Sequence, residues 1–118
     1  MHKELAAIAG LGAAALGDRV LRVASTHASA REAFKRSTRL VDSGLPVTIR
    51  SSAGSERIEF DGGGSIRFVS ARGHGVRGLS AELLLIDESV RLLASNFYHD
   101  HVPILLGREG RVVQVSGV

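Results

Sequence analysis

Leu83-Leu84-Leu85-Ile86-Asp87-Glu88 is the stretch of the sequence that says most about the fold. Its four apolar residues are continuous and do not alternate with polar ones, which is the pattern of a strand buried on both faces of a parallel sheet. Two adjacent carboxylates follow the apolar run directly. The stretch therefore predicts a central strand of an α/β domain that carries Asp87 and Glu88 at its carboxyl end.

Residue patterns on both sides of this strand predict further helices and strands. A helix is expected over residues 4–16, and a second helix is expected from Ser29, which has capping-box spacing to Glu32. Asp61-Gly62-Gly63-Gly64 separates two short alternating runs and predicts a hairpin turn. The predicted strands are residues 19–24, 47–50, 57–60, 65–69, 83–86 and 110–116, and residues 90–106 are expected to be helical in part, with a break at Pro103. Alternating strands and helices indicate an α/β domain with a mainly parallel sheet.

The composition excludes several classes of protein. With 118 residues, 44% of them hydrophobic and 23% charged, the chain fits one folded domain or a piece of one, and neither a multidomain protein nor a disordered segment. The absence of cysteine excludes a disulfide scaffold, a thiolate metal site and a cysteine nucleophile. The longest uncharged apolar stretch, Leu5 to Leu16, is shorter than the roughly 20 residues that a membrane helix needs. We therefore expect a cytosolic protein with no membrane partner.

Polar residues that follow strands indicate where chemistry is expected. Ligands of parallel sheets bind at the carboxyl ends of the strands, which brings Ser25-Thr26, Asp87-Glu88 and Ser116-Gly117 to one edge. An apolar strand that ends in two carboxylates has the shape of a Walker B motif. Asp87 suits the carboxylate that helps to hold Mg²⁺ at the nucleotide phosphates, and Glu88 suits the one that polarises the attacking water. The alternative is a strand followed by a solvated acidic turn or a helix N-cap.

Three further segments extend this pattern over nearly the whole chain. Ile66 to Glu82 contains a strand, an Ala-Arg loop and a Gly-Val-Arg-Gly turn, and it leads into the Walker B strand. Ala24 to Arg36 reads as a strand followed by a helix, and Gly110 to Ser116 reads as a strand that ends in a hydroxyl residue. In content and order, these segments resemble the large terminase subunit of tailed phages.

The resemblance implies a fold and a function. The fold is a P-loop NTPase-type three-layer α/β/α domain with a mainly parallel sheet plus a β-hairpin. The function is an ATPase motor that uses ATP and Mg²⁺ to package viral DNA. Its implied partners are double-stranded DNA, the portal protein and the small terminase protein, and the full-length protein is expected to form a homo-oligomeric ring in the cytoplasm of the bacterial host.

The resemblance also implies roles for residues outside the Walker B strand. Arg77 lies where the family has a catalytic arginine that reaches the nucleotide of a neighbouring subunit. Ser116 and Gly117 match the coupling motif beside the nucleotide, which implies that they bind the nucleotide cofactor. Arg72 is a competing candidate for the catalytic arginine, and either arginine could instead be a surface residue or contact a DNA phosphate.

One part of the family pattern is absent from the 118 residues. Neither lysine, Lys3 or Lys35, follows a glycine, so there is no Gly-Lys-[Ser/Thr] sequence of a Walker A motif. The resemblance therefore implies that residues 1–118 are the second part of an ATPase domain, with the P-loop encoded upstream of Met1 and with no nuclease domain, and that this chain alone is inactive. Ser89 and Val118 also depart from the family pattern, which has alanine and a hydroxyl residue there.

Two other functions stay open from the sequence alone. A helicase-like ATPase also has an apolar strand that ends in Asp-Glu. A small basic module that binds nucleic acid without activity fits the net charge of +3, and Arg31, Lys35 and Arg39 form a stripe that either contacts DNA phosphates or is a solvated helix face. His99 and His101 could be metal ligands, although their spacing on a helix separates the two imidazoles and favours a solvated turn.

Overall fold

The computed structural model describes residues 1–41, 44–72, 79–93 and 110–116. The strands are β1 (Arg19–Ala24), β2 (Val47–Arg50), β3 (Arg57–Phe60), β4 (Ser65–Ser70), β5 (Leu83–Asp87) and β6 (Arg111–Val115). The helices are α1 (Lys3–Ala15), α2 (His27–Leu40) and α3 (Glu88–Leu93). The strands form one sheet with the order β2-β3-β4-β1-β5-β6. This mixed α/β architecture confirms the fold class that the sequence predicts.

The sheet is parallel over most of its width and antiparallel on one side. β4, β1, β5 and β6 pair in parallel, whereas β2, β3 and β4 form an antiparallel meander. The turn between β3 and β4 contains the predicted glycines, and Gly63 adopts a φ of 103°, which few other residues tolerate. After β1, the chain continues through α2 to β2 at one edge of the sheet and returns through β3 to β4, which lies beside β1. It then continues to β5, which lies on the other side of β1. The carboxyl ends of the parallel strands therefore meet at one edge, where such sheets bind ligands.

Burial on both faces of β5 confirms the prediction from its unbroken apolar sequence. Leu83 and Leu85 join an apolar cluster with residues of α1 and α2 on one face of the sheet. Leu84 and Ile86 join a second cluster on the opposite face, which includes Val90 of α3. Because helices contribute to both clusters, the sheet is the middle layer of three.

α1 packs against the sheet mainly with its small residues, and of its large residues Leu11 packs, partly buried, against the same cluster. Leu5 and Ile8 of the helix, and Leu16 at its carboxyl end, are exposed. The buried residues of α1 are Ala6, Ala7, Gly10 and Ala14. A Cβ atom on Gly10 would lie 3.3 Å from Leu85 Cδ1, so the helix approaches the sheet too closely for a large side chain at that point.

The starts of two helices differ from the sequence-based expectation. α2 begins at His27 with Thr26 as its N-cap, because Thr26 Oγ1 accepts a hydrogen bond from the Ser29 N–H at 3.1 Å. The prediction that Ser29 opens this helix is therefore wrong: it lies in the first turn, and the extended backbone of Thr26 directs the earlier hydroxyl towards the free N–H groups. α3 begins directly after β5, and residues 94–106 of the predicted last helix, including the break at Pro103, lie outside the described residues.

Among the residues that the structure describes, no helix is both long enough and apolar enough to cross a bilayer.

Candidate active site

Asp87 is the last residue of β5 and lies at the carboxyl edge of the sheet. Its side chain is only 9% exposed and lines a cleft of about 230 Å³ between α1 and α2. On β1, the register places Arg22 opposite Leu85, and the Arg22 side chain reaches along the neighbouring strand to Asp87. Arg22 Nη2 lies 2.7 Å from Asp87 Oδ1, and the arginine side chain is 7% exposed. The predicted magnesium ligand is therefore half of a buried ion pair.

The Arg22–Asp87 ion pair places a positive and a negative charge side by side at the carboxyl ends of the strands. Arg22 Nη1 donates a hydrogen bond to the Val23 carbonyl oxygen at 3.2 Å, which anchors the guanidinium to its own strand. Asp87 Oδ1 is within ion-pair distance of Nη2, but it accepts no hydrogen bond of good geometry from the part of the chain that the structure describes. A buried pair of this kind is costly to break, because the remaining charge is left without a partner in a low-dielectric environment.

This geometry fits a magnesium ion that arrives with its own oxygen ligands. A carboxylate oxygen is the kind of ligand that Mg²⁺ prefers. A metal that binds Oδ1 would have to displace only the ion-paired guanidinium, because this oxygen accepts no hydrogen bond of good geometry from the described residues. The described residues contain no cluster of three or more acidic, histidine or cysteine side chains that could hold a metal alone. Asp87 can thus supply one ligand to a Mg²⁺ whose other ligands are phosphate and water oxygens, which is the usual arrangement at nucleotides.

Glu88, the predicted water-activating residue, follows Asp87 as the first residue of α3. It is exposed at the carboxyl edge, whereas Asp87 beside it is buried. Next to it, Ser89 Oγ donates a hydrogen bond to Ser25 Oγ at 3.2 Å, which ties the start of α3 to the end of β1. The residue that departs from the family's alanine thus helps to hold the strand ends together.

Basic, acidic and hydroxyl side chains line the cleft that contains the Arg22–Asp87 ion pair. Lys3 lines it from the first turn of α1, and Ser29, Glu32 and Arg36 line it from α2. Arg36 also pairs with Glu4 of α1 at 2.9 Å, so the ion pair joins the two helices at the cleft. The cleft is large enough for a phosphate group, and its mixed charges leave it without a strong preference for one sign.

Ser116 was predicted to contact a cofactor, and it follows β6 directly. The register places Val115 beside Asp87, so Ser116 lies one residue beyond the position of the carboxylate. The Ser116 N–H donates a hydrogen bond to the Met1 carbonyl oxygen at 2.5 Å, and the Met1 amino group donates to the Gln114 carbonyl oxygen at 2.9 Å. The structure therefore brings the predicted Ser116 and Asp87 to the ends of neighbouring strands.

Several predicted residues lie outside the described residues. They are Arg77, Gly117, His99 and His101. The competing candidate Arg72 is described: it is exposed, and its N–H donates a hydrogen bond to Ser70 Oγ at 3.1 Å.

The basic stripe of α2 is partly neutralised by acidic neighbours. Arg31 Nη1 lies 3.5 Å from Oε2 of Glu56, a carboxylate that is 6% exposed. Arg39 Nη2 lies 4.0 Å from Glu32 Oε1. Lys35, between the two arginines, is exposed. The two ion pairs reduce the net positive charge of this face, which favours a solvated helix face over a surface for DNA phosphates.

A second ion pair joins β1 to the residue that precedes β5, at the opposite end of these strands. Arg19 Nη2 lies 2.8 Å from Glu82 Oε2, and the two side chains are 57% and 39% exposed. The hydrogen bond from Arg19 lowers the pKa of Glu82, against the opposing effect of partial burial. An exposed and a buried arginine–carboxylate pair thus lie at the two ends of β1 and β5, the exposed one with its glutamate just before β5, and the two pairs can be compared directly.

Sequence reasoning identified Asp87 and Glu88 but missed Arg22. The signal was present, because Arg22 is the one charged residue between the apolar residues Val20 and Ala24 of the strand predicted over residues 19–24. A charge at such a position requires a buried partner of opposite sign. The carboxylate at the end of β5 was a possible partner, but the strand order was needed to assign it.

Comparisons with known proteins agree with this architecture. No protein-family model matches the chain, and no curated protein matches it. Among solved structures, it is similar to the ATPase domain of the large terminase of Thermus phage P74-26, both without and with a point mutation. In both cases, the TM-score is 0.70 at 18% sequence identity, and the match covers 97% of this chain and 54% of that chain.

The likeness extends over almost every residue of the present chain and over about half the length of the solved domain. The mainly parallel sheet and the surrounding helices are the features that the two proteins share at this low identity. The chain therefore has the fold of a phage large terminase ATPase domain.

Proposed function

We propose that the chain is part of the ATPase motor of a phage or prophage large terminase, which couples ATP hydrolysis to the packaging of viral DNA. The observation that carries the proposal is the position of the Asp87-Glu88 pair. It lies at the junction of β5 and α3, at the ligand-binding edge of a sheet with the fold of a terminase ATPase domain. One buried and one exposed carboxylate at this junction suit the two roles that nucleotide hydrolysis requires.

In this proposal, Asp87 is the metal ligand and Glu88 is the general base. Bound Mg²⁺ supplies positive charge that neutralises the phosphate oxygens. Asp87 suits a fixed ligand because β5 and the ion pair with Arg22 restrict its carboxylate. Glu88 suits a base because its exposed carboxylate at the start of α3 can orient a water molecule and accept its proton.

The remaining roles follow from the resemblance to the family. Arg77 would act on the nucleotide of a neighbouring subunit in a homo-oligomeric ring, and Ser116 and Gly117 would transmit the state of the nucleotide to the DNA-moving parts. Ser116 follows Val115, the residue of β6 that pairs with Asp87, and this position next to the candidate site supports that role. Double-stranded DNA, the portal and the small terminase protein would be the partners, in the cytoplasm of the bacterial host.

The 118 residues contain no Gly-Lys-[Ser/Thr] sequence, so we expect the chain by itself to bind ATP weakly or not at all. A titration calorimetry experiment with ATP and Mg²⁺ tests this. Tight, Mg²⁺-dependent binding by the 118-residue chain would contradict it.

The experiment that tests the function uses a version of the protein with a P-loop segment, encoded upstream of Met1 or supplied by fusion. Glu88→Gln should leave ATP binding intact and lower the hydrolysis rate by about 10²–10⁴, because the base is lost. Asp87→Asn should instead raise the Mg²⁺ concentration that is needed for half-maximal hydrolysis. Glu59→Gln on β3 is the matched control and should hydrolyse ATP at the rate of the parent protein. Equal rates for Glu88→Gln and the control would overturn the assignment.

Mixed rings test the role of Arg77. Arg77→Ala subunits and Glu88→Gln subunits should each be inactive alone, and a mixture should regain some hydrolysis, because an intact Arg77 can face an intact Glu88 at one interface. If Arg77→Ala rings hydrolyse ATP normally, Arg77 is a loop residue or a DNA contact.

A further inference from the structure

Among the residues whose side-chain burial the structure describes, which leaves out residues 91–93, Arg22 is the one arginine with a buried side chain. It lies on β1, in the middle of the sheet, and the other residues from Val20 to Ala24 are buried and apolar. A guanidinium in such a place gives up most of its hydration, so an apolar residue is the ordinary occupant. The arginine therefore requires an explanation beyond packing.

The ion-pair partner of Arg22 is the metal ligand of the proposed site. Nη1 is anchored to the Val23 carbonyl oxygen, and Nη2 lies 2.7 Å from Asp87 Oδ1. No other basic side chain in the described ranges is within ion-pair distance of Asp87. The side chains of Arg22 and Asp87 line the same cleft, at the carboxyl end of β5. Glu88 follows β5 directly. The guanidinium thus occupies one of the two carboxylate oxygens to which a metal could bind.

We propose that Arg22 is a positioning residue that holds the Asp87 carboxylate in place and competes with a divalent cation for it. The inference rests on the proposed function, because it takes Asp87 as the metal ligand. The guanidinium repels a bare cation, and a cation that approaches Oδ1 must displace Nη2 from it. Arg22 thereby keeps the affinity of the site for free metal low.

The competition has a consequence for the choice of ligand. A free divalent cation adds positive charge beside Arg22, whereas a cation that arrives with a nucleotide brings several negative phosphate charges with it. The guanidinium repels the free cation and attracts the negatively charged metal–nucleotide complex. Arg22 therefore favours the metal–nucleotide complex over the metal alone.

The test measures Mn²⁺ binding to the 118-residue chain through the paramagnetic broadening of its amide NMR signals. A divalent cation at Asp87 and the guanidinium of Arg22 are like charges a few ångströms apart in a site of low dielectric, so Arg22→Gln should tighten Mn²⁺ binding near Asp87 by at least about tenfold. Arg22→Lys keeps the charge and should stay within about threefold of the wild type. Arg19→Gln removes the same charge at the opposite end of β1 and should leave the Mn²⁺ affinity unchanged.

The outcomes separate the inference from the function on which it rests. Asp87→Asn should abolish the broadening at the end of β5; if it does not, Asp87 is not a metal ligand and the proposed site fails. If Asp87→Asn abolishes the broadening but Arg22→Gln leaves the affinity unchanged or weaker, Arg22 has only a packing role, and the inference is overturned while the metal site stands.

A second measurement needs no variant and decides the question if Arg22→Gln does not fold. Titration of the wild-type chain with Mg²⁺ should shift the Arg22 Nε–H signal with the same midpoint as the Asp87 amide, because metal binding releases the guanidinium. A response of the Asp87 amide with a constant Arg22 signal would refute the competition.

Discussion

Replacing Arg22 and Asp87 singly and together measures the free energy that the buried ion pair controls. The two side chains are 7% and 9% exposed, so either single replacement, Arg22→Met or Asp87→Leu, leaves one buried charge without its partner. Each single variant should lose about 3–5 kcal/mol of unfolding free energy. The double variant buries no charge and should be within about 1 kcal/mol of the wild type, or more stable, because apolar side chains often replace buried ion pairs without loss. The coupling energy should therefore exceed about 3 kcal/mol.

Urea denaturation followed by far-ultraviolet circular dichroism gives the four free energies of this cycle. Arg19→Met and Glu82→Leu form the matched control cycle, since that pair joins β1 to the residue just before β5 but its side chains are 57% and 39% exposed. Its coupling energy should be about 0.2–1 kcal/mol, as for other exposed pairs. The reasoning is refuted if the two cycles give equal coupling, or if the single replacements at the buried pair cost less than about 1 kcal/mol.

Three further predictions concern a helix cap, a turn and a titration, and each is checked by urea denaturation. Thr26→Ala should cost about 1 kcal/mol of unfolding free energy through the loss of the α2 N-cap, and a larger cost for Ser29→Ala would contradict the cap assignment. Gly64→Ala should cost about 1–3 kcal/mol, because its Cβ would lie 1.9 Å from a backbone oxygen of α1, whereas Gly62→Ala, with open space around it, should be neutral or stabilising; equal effects would refute this. The lowered pKa of Glu82 makes its ion pair stabilising above the ordinary glutamate pKa, and the stability difference between the wild type and Glu82→Gln should vanish as the pH falls through the lowered folded value. A difference that grows on acidification would contradict the sign.

The fold was predictable from the sequence where the signal is local. The unbroken apolar run that ends at Ile86 predicted a strand buried on both faces, and the glycines after Asp61 predicted the hairpin. The cap of α2 was harder to predict, because Thr26 and Ser29 both carry hydroxyls at suitable spacing. Only the backbone conformation at Thr26 distinguishes between them.

The candidate site was predictable in part for the same reason. Asp87 and Glu88 are adjacent in the chain and follow a recognisable strand, so their positions could be predicted together. Nothing local indicates that Asp87 is buried while Glu88 is exposed, because this difference depends on the close packing of α1 and α2 over one face of the sheet.

By itself, the sequence determined the periodicities, and with them the strands, the helices and the two carboxylates at the end of β5. The tertiary structure alone decided that Arg22 meets Asp87 and that α1 buries its small residues against Leu85. The physical reason is that periodicity reflects the alternation of side chains along one backbone, which each segment carries by itself. An ion pair between strands depends on strand order, register and depth of burial, and these arise only when distant segments of the chain pack together.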